Sequence, residues 1–124
     1  MVSSESMKLL IAAADEMEKE MIQDCLQAFE QYHAAVYKLE TIRMIGSGVF
    51  TDSNDYRTAV TDADRARTAC HNSVITMVGI LNRMCESHGI APFYDGIVSE
   101  ERPHRRNLAN AVFEYVEQLI KERA

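Results

Sequence analysis

Residues 5–45 contain neither glycine nor proline. That one fact narrows the choice of fold more than any other, because Gly and Pro are the residues that interrupt regular structure. Apolar residues recur through the stretch at Met7, Leu10, Ala14, Met17 and Met21, then at Ile22, Cys25, Phe29, Tyr32, Val36 and Leu39. Steps of three and four residues mark one face of a helix. The register slips near Met21, so the buried face rotates or the helix bends there. Gly46 is placed to terminate it.

The rest of the chain follows the same grammar. In "TDSND", Asp52 or Ser53 suits the N-cap of a second helix, and Asp55 suits its first turn. Val60, Ala63, Cys70, Val74, Met77, Leu81, Met84 and His88 form its stripe, Val78 and Cys85 widen it, and Arg67 interrupts it. Gly89 ends this helix, and a loop with Pro92 and Gly96 follows. Ser99 or Arg102 caps a last helix, with Pro103 tolerated in its first turn. Leu108, Val112, Tyr115 and Leu119 give that helix its apolar face. Only residues 47–50 read as extended.

The expectation is an all-α antiparallel bundle, one domain over residues 1–124, with three main helices at about 4–45, 53–88 and 100–123. At 1.5 Å per residue these span roughly 60, 50 and 30 Å. A short third helix cannot cover two long ones. Either the first helix is broken, or a second copy covers the remaining apolar surface, and a homodimer is expected.

Charge and cysteine usage exclude some function classes. The formal net charge of -6 argues against nucleic-acid binding, which relies on a basic footprint. Three cysteines do not make a disulfide framework and fit reduced thiols in a cytoplasm. "MKLLIAAAD" imitates a secretory signal, but its apolar run is short and Glu5 precedes it. No stretch approaches the roughly 20 apolar residues of a membrane span.

Several residue groups invite a chemical reading. Cys70-His71 and Cys85-x-x-His88 together supply four metal-ligand types. On one helix, however, the two cysteines are separated by roughly 22 Å of axial rise, whereas zinc ligands sit about 2.0–2.3 Å from the metal. Glu30-x-x-His33 and Glu101-x-x-His104 match half of a di-metal carboxylate constellation, but only three helices are apparent and Pro103 distorts the second pair. An EF-hand starting at Asp52 fails at Tyr56 and Arg57. No metal ligand set and no cofactor are therefore expected.

Two polar groups remain. Asp64, Arg67 and His71 stand in a row at spacings of three and four, where a half-buried Arg67 needs a partner. They serve either as a register-fixing ion pair or as a ligand site between helices. Arg102, Arg105 and Arg106 form a basic cluster at a helix start, suited to an anion or to a solvated surface.

The segments "RTACHNSVITMVGILNRMCESHGIAPFYDG" and "RRNLANAVFEYVEQLIKER" resemble a family of small, all-helical bacterial proteins known only as a domain of unknown function. The resemblance covers about residues 65–123. It implies a bacterial, cytoplasmic helical protein and transfers no functional residue. The functional expectation is a non-enzymatic, homodimeric protein-protein interaction module. The alternative is a ligand-binding protein or metal-dependent enzyme with a site between helices, drawing on His33, His71 or His104.

Overall fold

The computed structural model describes residues 1–46, 48 and 52–124; the predicted extension over 47–50 lies for the most part outside the described residues. Among the described residues four helices follow one another: α1 (Ser4–Ala13), α2 (Glu16–Ile45), α3 (Ser53–Ser87) and α4 (Arg102–Arg123). The expected first helix is thus two. The break falls at Ala14 and Asp15, both in extended conformation, rather than at Met21. Its cause is a capping box. Asp15 Oδ1 accepts from the Glu18 backbone N–H at 2.8 Å, and Glu18 Oε1 accepts from that of Asp15 at 3.2 Å. These bonds satisfy donors that a new helix leaves orphaned, so restarting the helix there costs little.

The break turns α1 so that Met7 and Leu10 reach the core, while Met17 and Met21 of the expected stripe face solvent. From Ile22 onward the predicted face is correct: Ile22, Cys25, Phe29, Tyr32 and Leu39 are buried. Gly46 ends α2 with a positive φ of 69° and donates its N–H to the Ile42 carbonyl.

α2 and α3 form the main pairing and run antiparallel. Glu18 meets His88, Cys25 meets Met77, and Tyr32 meets His71. Asp52 caps α3 by accepting from the Asn54 N–H at 2.8 Å. α3 continues unbroken through Gly79. α4 lies across this pair, with Phe113 on His33, Glu117 on Tyr37 and Arg105 on His71. Beyond Leu39 in α2 and before Ala63 in α3, no described residue of the hairpin is buried, and Met44 is 86% exposed.

The segment before α4 is more than a connection. Phe93 is 1% exposed, stacks on Phe29 at 5.9 Å and meets Tyr115 edge-on at 5.3 Å. Asn82 clips the neighbouring backbone: its Nδ2 donates to the Tyr94 carbonyl at 3.1 Å, and its Oδ1 accepts from the Tyr94 N–H at 3.0 Å. On the other side Val2 bridges Tyr94, and the Ser3 N–H donates to the Phe93 carbonyl at 2.7 Å. The position at which α4 starts is thereby fixed by the core. No helix among the described residues is long and apolar enough to cross a membrane.

Candidate functional site: an arginine-lined cleft

The two polar groups singled out from the sequence meet in space. A cleft of about 480 Å³ opens between α2, α3 and the start of α4, and it is lined by Arg67 and His71 from α3 and by Arg102, Arg105 and Arg106 from α4. Asp64 does not line it. The α4 residues share one helix face by their spacing, and Ala109 and Asn110 continue that face two turns on. Tyr32 of α2 and Glu100, just before α4, complete the wall.

The two α3 side chains are held by local contacts. Arg67 points both Nε and Nη2 at Asp64 Oδ1, at 3.1 and 3.0 Å, and its Nη2 reaches Thr68 Oγ1 at 3.4 Å. The pair is half exposed, which limits its stabilising effect to about 0–1 kcal/mol. His71 is 6% exposed, with Nε2 3.2 Å from the Arg105 carbonyl. A carbonyl only accepts, so Nε2 carries the proton and Nδ1 keeps a lone pair. Nδ1 is buried and has no hydrogen-bond partner among the described residues. The His71 ring tilts against Tyr32 at 5.4 Å.

The field in the cleft is positive. Burial lowers the His71 pKa from 6.5; the bond to the Arg105 carbonyl opposes this, and the charges of Arg105 and Arg67 reinforce it. Burial raises the Tyr32 pKa against the pull of Arg67 and Arg105. Arg102, Arg105 and Arg106 have no carboxylate within ion-pair distance among the described residues. The first turn of α4 follows Glu101 with no side-chain cap, so its backbone N–H groups have no side-chain acceptor among the described residues.

The remaining candidates scatter. His88 pairs with Glu18 at 2.8 Å, His104 lies 3.8 Å from Glu101, His33 lies 3.3 Å from Glu117, and Glu30 pairs with Arg123 at 2.9 Å. Glu30 and His33 thus go to different partners, while among the described residues Glu101 and His104 face only each other. No cluster of three or more His, Cys, Asp or Glu suited to a metal forms among the described residues. Cys25 is buried between helices, with its Sγ 3.6 Å from Met77 Sδ, and burial raises its pKa to about 11. Burial also raises that of Cys85. Both thiols stay protonated at neutral pH and are poor nucleophiles.

Sequence reasoning found the arginines and His71 but treated them as two sites. In the sequence Tyr32 belongs to an apolar face, and nothing in it marks Glu100, Ala109 or Asn110. The i, i+3, i+4, i+7 and i+8 progression from Arg102 carried the signal for the α4 face.

No curated protein and no solved structure matches the chain. A family profile, by contrast, matches residues 4–122, taking in α1 and α2 as well as the later helices. The chain belongs to the family described as "Protein of unknown function (DUF3232)".

Proposed function

We propose that this protein binds a small anionic ligand in the cleft between α2, α3 and α4. One observation carries the reading: four arginines from two helices face one concave space in a chain of net charge -6. Gathering like charges is unfavourable unless an opposite charge joins them, and three of the four have no carboxylate partner among the described residues. The volume of about 480 Å³ falls within the range of about 300–1,000 Å³ typical of small-molecule sites. Arginine does not deprotonate in proteins. The arginines therefore supply held charge rather than proton transfer, and we read the protein as a binder rather than an enzyme.

The test is calorimetric titration of the protein with inorganic phosphate, before and after the Arg105→Gln, Arg106→Gln double substitution. The expected result is binding that the double variant weakens by about tenfold or more, the effect of losing one or two charge-assisted bonds. Equal affinity in both proteins would sink the proposal.

A second reading concerns assembly. Leu9, Ile11, Met17 and Met21 are exposed near the α1–α2 junction, and Met44 and Ile45 at the far end of the hairpin. These residues support a homodimeric interaction module in which a second copy covers apolar surface left bare in the single chain. Cys25, Cys70 and Cys85 are free, which fits a reducing cytoplasm, and the resemblance described above favours a bacterial one. Light scattering reads the assembly directly, and a monomer at tens of micromolar would count against it.

A further inference from the structure

We infer that the ligand is a small phosphomonoester, held as its dianion, with a hydrogen-bonding organic part filling the rest of the cleft. This rests on the anion-binding reading above and narrows it to a chemical class.

Charge balance comes first. Arg67 already shares its charge with Asp64. Arg102, Arg105 and Arg106, set against Glu100, leave a net charge of about +2 on the lining. A phosphomonoester carries about -1.5 to -2 at neutral pH and offers three terminal oxygens. A monocarboxylate or a phosphodiester brings half that charge.

Geometry points the same way. The guanidinium groups come from two helices, Arg67 from α3 and the others from α4. A tetrahedral headgroup can accept from several directions at once, while a carboxylate presents two oxygens in one plane. The uncapped first turn of α4 adds a partial positive charge beside Arg102. A bare phosphate ion would leave most of the cleft empty. Besides the arginines, the cleft is lined by the polar groups of Tyr32, Glu100 and Asn110, which suit a hydroxyl-bearing organic part.

A polyanion fits less well. Nucleic-acid binding requires a basic track longer than one cleft. Here the arginines are confined to a hollow flanked by Glu101 and Asp64, in an acidic chain.

Calorimetry on the full chain near pH 7.5, where the second phosphate proton is largely lost, separates the possibilities. The probes are glucose 6-phosphate, glucose, inorganic phosphate, dimethyl phosphate, succinate and a short single-stranded DNA. Glucose 6-phosphate is expected to bind about tenfold or more tightly than inorganic phosphate, succinate or dimethyl phosphate, with no heat from glucose. The Arg102→Gln, Arg106→Gln double variant, altered only at exposed positions, should fold unchanged by circular dichroism and lose about tenfold in affinity for the sugar phosphate. Succinate or dimethyl phosphate binding as tightly as glucose 6-phosphate would overturn the phosphomonoester class and leave anion binding standing. Inorganic phosphate binding equally well would overturn the organic part. No heat from any anion would remove both readings, and tighter binding to DNA would replace the small ligand with a polyanion.

Discussion

His71 is held at one nitrogen and unpartnered at the other, and this makes it a sensor of its surroundings. It is faced by Tyr32 from α2, Arg105 from α4 and Arg67 from its own helix. Burial, reinforced by the two arginine charges, keeps its folded-state pKa below 6.5. As pH falls through that value the unfolded chain takes up a proton that the folded chain refuses, so stability falls. The predicted loss begins near pH 6.5 and continues downward until the folded-state ring also titrates. His71→Gln retains a donor for the Arg105 carbonyl and cannot titrate. Urea unfolding at pH 7 and pH 5 should show the wild type losing more stability than the variant; parallel losses would assign the effect to other groups. The neighbouring pair gives a second prediction. Asp64 competes for Arg67 at 3.0 Å, so Asp64→Asn should tighten anion binding by about two- to fivefold, the range set by a half-exposed ion pair. Unchanged affinity on titration would mean that Arg67 does not reach the ligand. The sequence disclosed both residues through helical spacing. It could not disclose Tyr32 or Asn110, since an aromatic on an apolar stripe and an asparagine on a polar face look ordinary until helices are packed.

The helices themselves were largely legible, because a period of 3.6 and a shortage of Gly and Pro leave few alternatives. The missed break at Ala14 had a local signature, Asp15 with Glu18 three residues on, but apolar spacing continued across it and concealed the stop. The role of residues 88–101 was invisible for a different reason: Phe93 and Asn82 act through partners far away in sequence. Asn82→Ala removes two bonds to Tyr94 and should cost about 1–3 kcal/mol, since the loop groups lose their partners. Denaturant titration reads the cost, and anion affinity should fall with it because the start of α4 is no longer fixed. Gly79 predicts the opposite sign. A Cβ there would meet nothing within 4 Å, and glycine in a helix interior is worse than alanine by roughly 0.5–1 kcal/mol. Gly79→Ala should raise stability by about that amount; a lower urea midpoint would show that α3 needs flexibility at this point.

For the molecule as a whole, the last buried residue at the free end of α3, Ala63, lies one turn before Arg67. The cleft therefore sits on the border between the covered bundle and a bare two-helix arm formed by residues 40–45 and 53–62. Amide hydrogen exchange should show that border as a gradient. Backbone protons of the arm should exchange through fraying, while those around Val74, Val78 and Leu81 wait for global unfolding. A ligand spanning Arg67 and the α4 arginines would act as a strut across the border. Its expected effect is slower exchange in the first turns of α3, at residues that never touch it, and exchange there unaffected by a bound anion would show that cleft and arm are energetically separate. If the strut holds, occupancy of the cleft sets how stiffly the arm is presented to whatever meets it.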